Sequence, residues 1–200
     1  RRQLPNDIVN LSLEIPFVTN PREEFLATVN ANKAVQELRH NGGGPVHINL
    51  YTHYSTNFTV KELPVARIIR RYEYNVELPA IPEGHVVITV GSHSKFTSSQ
   101  VEAIDAFCAT YDAIVLCDHS SGYYGKYRAQ MALPYSQSAA LFKSATMSNR
   151  LCIHIGEVTG DYTMGAHSQE VWRVSPDGEI RDKYEKLSAV FQVTEEYFFR

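Results

Sequence analysis

Four residues at two strand ends pose the first chemical question in this chain. Gly91-Ser92 and Gly156-Glu157 each follow an apolar run, Val86-Val-Ile-Thr-Val90 and Leu151-Cys-Ile-His-Ile155. A glycine there lets backbone come close to a phosphate, and the carboxyl ends of parallel strands are where an α/β layer holds a ligand. These four are therefore the candidate cofactor-binding residues. Asp118, closing the apolar run Ala113-Ile-Val-Leu-Cys117, stands near the place of a ribose-binding acid. The dinucleotide fingerprint is nonetheless incomplete, because Ser92-His-Ser-Lys-Phe96 follows Gly91 where two further glycines are needed. A glycine that simply turns the chain accounts for Gly91 without any ligand.

Other constellations can be weighed in the same way. Asp118-His119-Ser120 has the residue types of a hydrolytic triad, but consecutive side chains cannot point at one another and no G-x-S-x-G elbow occurs. Hydrolysis is excluded. The histidines at 40, 47, 53, 85, 93, 119, 154 and 167 have no i, i+4 pair and no H-E-x-x-H, so no metal site is expected. His154, inside an apolar run, reads as a buried core histidine. Tyr123-Tyr-Gly-Lys-Tyr-Arg128 has aromatic faces that could stack on a base, yet a net charge of −3 offers no field to gather nucleic acid or anionic lipid. Packing against another domain or subunit is the expectation for that cluster. Cys108, Cys117 and Cys152, an odd set inside apolar runs, read as reduced core thiols and make a reducing cytoplasm the default. No apolar run approaches the roughly 20 residues of a membrane helix, and no signal-type core follows Arg1-Arg2-Gln3.

The elements that must position these residues read as strand, turn, helix, strand. Between Val90 and Ala113, Val101, Ile104, Cys108 and Tyr111 share one helical face with Phe107 beside them, and Ser99 with Glu102 forms a capping-box start. Nearly continuous apolar strands are buried on both faces, so a parallel sheet covered by helices is the natural context. Earlier in the chain, Val9, Leu11, Leu13 and Ile15 alternate as in a half-buried strand. After Thr19-Asn20-Pro21, residues 22–40 read as helix, with Phe25, Leu26, Val29, Ala34, Val35 and Leu38 as its stripe and Asn41-Gly-Gly-Gly44 as its stop. Pro45–Leu50 is a short strand, residues 51–64 a polar linker, and residues 65–74 an edge strand with solvated Arg67, Arg70 and Arg71. Residues 118–133 read as a long loop and residues 134–145 as a short helix. Glu170–Val174 and Ala189–Val193, flanking a Ser175-Pro-Asp-Gly178 turn, complete a mainly parallel sheet of five to six strands.

The order of these parts, with Asn30-Ala-Asn-Lys-Ala-Val35, Gly44-Pro-Val-His-Ile-Asn49 and Leu151-Cys-Ile-His-Ile-Gly156, resembles the thiamine diphosphate-dependent enzymes. That family includes acetolactate synthase, pyruvate decarboxylase and the carboligating synthase of menaquinone biosynthesis, and the His-Ile-Asn ending looks most like the last. The family usually has a proline after this strand, where this chain has Leu50-Tyr51-Thr52. The resemblance implies an α/β fold: residues 1–50 as the remnant of a pyrimidine-binding domain, 51–64 as linker, 65–193 as a Rossmann-like central domain and 194–200 as a truncated helix or linker. It also implies thiamine diphosphate and Mg²⁺ in a homo-oligomeric parent acting on 2-oxo acids, with flanking domains as this chain's partners. The metal motif is not found, since Gly160-Asp161 is followed by Tyr162 and no asparagine occurs after Asn149. No catalytic residue is carried over, and both ends read as cut. Two alternatives stay open: a self-contained module binding FAD, ADP or NAD, and a structural interaction domain.

Overall fold

The computed structural model describes residues 4–54, 56–57, 59, 61–63, 65–130, 148–159 and 167–200; the helix expected over 134–145 lies outside them. The chain divides into two compact units, Arg1–Ile69 and Arg70–Arg200.

The first unit is a single β-α-β crossover. Strand β1, Leu11–Ile15, and strand β2, Val46–Leu50, pair in parallel from Leu11↔Val46 to Ile15↔Leu50. Helix α1, Pro21–Glu37, connects them. Its start is built as the sequence suggests: the Asn20 side chain accepts from the Glu23 amide at 3.0 Å, and the Glu23 carboxylate accepts from the Thr19 amide and hydroxyl at 2.8 and 2.6 Å. The helix ends before the glycines, which instead turn the chain after a 3-10 turn, His40–Gly42, with φ of +48° at Asn41 and +77° at Gly43. Asn32 and Gln36 hold residues 67–69 against α1, and Ile69 is fully buried there. The expected stripe is only partly covered. Val29 and Ala34 are buried, whereas Leu26, Val35 and Leu38 are exposed, as are Ile8, Phe17, Ile48 and Leu50. A parallel pair of strands normally lies between two covered faces, which two strands and one helix cannot supply.

Among the described residues the second unit is a sheet of seven parallel strands, so the α/β, Rossmann-like class stands and the strand number exceeds the five or six expected. Its strands are β3 (Arg70–Tyr72), β4 (Val86–Val90), β5 (Ile114–Cys117), β6 (Arg128–Gln130), β7 (Asn149–Ile155), β8 (Ser168–Val174) and β9 (Leu187–Phe191). The strand missed is β6, inside the stretch read as loop; with Ala129 as its one apolar residue it has no periodicity to read. The spatial order is β3-β9-β8-β7-β4-β5-β6, so the chain runs outward from β4 through β5 to β6, then restarts on the other flank at β7. That reversal places the topological switch point between β4 and β7.

Helix α2, Ser98–Tyr111, covers one face and is capped by Thr97 rather than by the expected Ser99. The Thr97 hydroxyl accepts from the Gln100 amide at 3.3 Å, and the Gln100 side chain accepts from the Thr97 amide at 2.9 Å. Two overlapping capping boxes compete here, and the earlier one has the hydrophobic staple. Buried Phe96 precedes the cap, and Val101, packed against the core containing Phe96, sits four residues into the helix. Ser99 is left in the first turn, where its hydroxyl donates to Glu196 at 2.6 Å. A short helix α3, Glu195–Phe199, closes against α2 through Phe198 and Phe199, whose rings lie 6.5 and 5.1 Å from that of Phe107. Beneath α2 and α3 the core runs across the sheet through Ile88, Val115, Ile153, Trp172 and Phe191.

The opposite sheet face is more polar. Register there sets Thr89 beside His154 and His154 beside Arg173, all buried. Arg173 makes a paired contact with Asp177, at 2.5 and 2.9 Å, and donates to the Glu179 carbonyl at 3.1 Å. The three cysteines are free and buried, and desolvation pushes the thiols of Cys108 and Cys152 up to about 12 and about 11. No helix among the described residues is long and apolar enough to cross a membrane.

Candidate functional site

The structure brings Gly91, Ser92, Gly156 and Glu157 together at the switch point. They meet as two loops bonded to each other. Each strand ends where a β-like run gives way to glycine, and the freed backbone crosses the gap between β4 and β7. The Gly91 amide donates to the Ile155 carbonyl at 2.9 Å, the Ser92 amide to the Glu157 carbonyl at 3.1 Å, and the Glu157 amide to the Ser92 carbonyl at 2.9 Å. The glycines are needed because the loops nearly touch. A Cβ on Gly91 would sit 1.9 Å from the Glu157 carbonyl oxygen, and one on Gly156, at φ +77°, would sit 2.8 Å from that of Ser92. The close backbone approach that glycine permits here is filled by the opposite loop.

The β5 loop joins the same knot. The His93 amide donates to the Ser120 carbonyl at 3.0 Å, and the Ser121 hydroxyl donates to the Val90 carbonyl at 2.6 Å. Asp118 does not face a ribose pocket: it is buried, and its carboxylate accepts from the Ser120 amide at 2.6 Å and the Ser120 hydroxyl at 2.7 Å. Burial works to raise this carboxyl, but the Ser120 contacts, with Thr159 and Ser121, outweigh it and hold it below the ordinary range. Its acceptor capacity is turned inward.

Charge runs along the rim on the β7 and β8 side. Glu157 pairs with Arg181, whose other nitrogen lies 3.2 Å from Asp177, which in turn grips Arg173. Burial raises the Asp177 carboxyl, yet the Arg173 contact and the Glu179 amide win, bringing it down to about 2. Deeper in the sheet, desolvation lowers the His154 imidazole to about 3, and the charges of Arg173, Lys183 and Arg181 add to the effect. His154 is the neutral core residue that its setting in an apolar run suggests.

Two residues that sequence reasoning did not single out, His93 and Glu195, also meet at this end of the sheet. The His93 Nε2 atom is 3.4 Å from a Glu195 carboxylate oxygen, and the ring stacks on Phe96 at 4.0 Å. They are far apart in sequence, and no local pattern marks the pair.

The comparisons with known proteins give relatives that share one name. A protein named 2-succinyl-5-enolpyruvyl-6-hydroxy-3-cyclohexene-1-carboxylate synthase from Bacteroides thetaiotaomicron is 25% identical over 206 residues, covering 93% of this chain and 36% of that protein. Synthases of the same name from Phocaeicola vulgatus and Bacteroides fragilis are 37% and 36% identical over 67 residues, covering 33% of this chain and 12% of each. This chain thus spans about a third of the length of the Bacteroides thetaiotaomicron protein. No family model matches.

What the described residues can do chemically follows from their donor sets. No three of His, Cys, Asp and Glu gather as metal ligands among them. The depression beside the switch-point loops, lined by Lys95, Phe96, Ser98, Val101, Glu102, Gly122 and Tyr124, has a volume of about 270 Å³. That is below the roughly 300–1,000 Å³ usual for a small-molecule pocket. The arrangement is one that locks loops and orders charge.

Proposed function

We propose that this chain is part of a thiamine diphosphate-dependent carboligating synthase, with residues 70–200 as its Rossmann-like middle domain and residues 1–69 as part of a preceding α/β domain. The observation that carries this reading is the similarity to one synthase through 93% of the chain, from the first crossover into the parallel sheet. The uncovered apolar side chains of the β1-α1-β2 unit support it, because such a pair belongs inside a wider layer. In the parent, thiamine diphosphate with Mg²⁺ serves as the electron sink for a carbanion made from a 2-oxo acid. The succinyl group in the relatives' name is what 2-oxoglutarate leaves on losing CO₂, so that acid is the donor we assign. The middle domain holds flanking domains in place and contributes no catalytic residue, and the parent works as a cytoplasmic homo-oligomer.

The test is to express the longer gene product that contains this chain and measure CO₂ release from 2-oxoglutarate with thiamine diphosphate and Mg²⁺ present. Cofactor-dependent release is the expected result. Absence of release from 2-oxoglutarate, pyruvate and other 2-oxo acids alike would sink the reading. One observation favours a second reading: the strand order gathers Gly91, Ser92, Gly156 and Glu157 at the switch point, where FAD, ADP or NAD would rest. Titrating residues 1–200 with those three nucleotides separates the two, since only the second demands tight, stoichiometric uptake.

A further inference from the structure

Helix α3 is fastened at two ends. Its Phe198 and Phe199 pack on α2, and its first residue, Glu195, reaches the loop after β4. That second contact is made by His93, whose two ring nitrogens both face oxygen: Nδ1 lies 2.6 Å from the Ser94 carbonyl and Nε2 lies 3.4 Å from the Glu195 carboxylate. A neutral imidazole has one N–H and one lone pair, so it can satisfy only one of these acceptors; the imidazolium satisfies both. The His93 and Glu195 side chains are 16% and 10% exposed, which leaves water little room to replace the donor that the Glu195 carboxylate would lose. We propose that His93 is a proton-operated clasp that docks α3 onto the β4 loop when doubly protonated and releases it when it loses a proton.

The surroundings leave Glu195 as the group that sets this balance. Helix α2 presents the neutral Gln100, 3.5 Å from the Glu195 carboxylate. The β5 loop brings the Asp118 carboxylate, turned inward onto Ser120, together with His119. The β7 loop brings Glu157, which is engaged by Arg181, and Glu196 on α3 is held by Ser99 and Arg200. Lys95 lies on the same loop as His93, two residues along. The Glu195 contact raises the His93 imidazole above its ordinary value; desolvation opposes it and the Ser94 carbonyl adds to it. The contribution of His93 is therefore complete below about pH 6.5 and is lost as pH rises through its folded value. The clasp stands apart from the functional reading and holds whatever the parent protein does.

The experiment follows the histidine carbon-bound proton of His93 by NMR in the full 200-residue chain, and in E195Q, while amide exchange reports on α3. In the wild type His93 titrates above an ordinary histidine, and E195Q brings the midpoint down. Correspondingly, protection of the Phe198 amide, which donates to the Thr194 carbonyl at 3.1 Å, falls several-fold between pH 6 and pH 8.5 beyond the intrinsic rate change. In H93Q that extra fall is absent. A His93 midpoint that E195Q leaves in place overturns the proposal whether or not H93Q folds. So does an equal loss of Phe198 protection in the wild type and H93Q.

Discussion

Acidification should weaken the seven-stranded unit through one residue, His154. Its ring is 5% exposed, lies edge-on 6.2 Å from Tyr184, and shares the polar sheet face with Arg173. In the folded chain it stays neutral down to about pH 3, whereas in the unfolded chain it takes a proton near pH 6.5. The unfolded state therefore binds more protons between those limits, and stability falls with pH by about 1.4 kcal/mol per unit. From pH 7.5 to pH 5 that amounts to about 2 kcal/mol from this residue alone. Other groups titrate in the same window. His93 acts with the opposite sign, and carboxylates such as Asp177 lose their contribution only as pH falls toward their lowered values. Comparing the wild type with H154Q cancels these common terms. Urea unfolding followed by the fluorescence of Trp172, the one tryptophan and a core residue of this unit, is the assay. H154Q should lose about 2 kcal/mol less than the wild type over that range. Equal losses in the two proteins, or a His154 ring that titrates near pH 6.5 while folded, would refute the reasoning.

Two further perturbations probe the knot and the charge chain. Gly91→Ala must push a methyl group into the Glu157 carbonyl, a backbone atom 1.9 Å away, and should cost about 3 kcal/mol in urea unfolding, with loss of amide protection at Ser92 and Glu157. Asp177→Ala strands the guanidinium of Arg173, which is 1% exposed, and should cost about 3 kcal/mol; Asp177→Ala combined with Arg173→Leu should recover a good part of that loss.

The sheet was legible because parallel strands covered on both faces leave nearly unbroken apolar runs, and Val86–Val90, Ile114–Cys117 and Leu151–Ile155 are such runs. Strand β6 has no such run: among the described residues it is paired on one side only, and its partly exposed side chains ask for no apolar pattern. For the cap of α2, local spacing offers Thr97 with Gln100 and Ser99 with Glu102 equally. Phe96 and Val101 break the tie through tertiary packing. At the candidate site the glycines announced a close approach in the sequence, but not what approaches. His93 and Glu195 meet only because the sheet order returns α3 to the end of β4.

A glycine at the end of a parallel strand is commonly taken as a sign of phosphate, and the switch-point loops give a way to weigh that inference. A phosphate cradle works by presenting amide groups that have no other partner. Here the amides of Gly91, Ser92 and Glu157 all donate across the gap between β4 and β7. A ligand that took them over would break three backbone hydrogen bonds, each worth about 1 kcal/mol net, and so would forfeit about 3 kcal/mol. That corresponds to roughly a hundredfold in affinity before any contact of its own is counted. The Asp118 carboxylate would impose a similar loss on a ribose hydroxyl, since Ser120 already supplies its donors. The residues that would make a nucleotide site are the ones that bind the loops to each other, and tight nucleotide uptake would require the loops to part first.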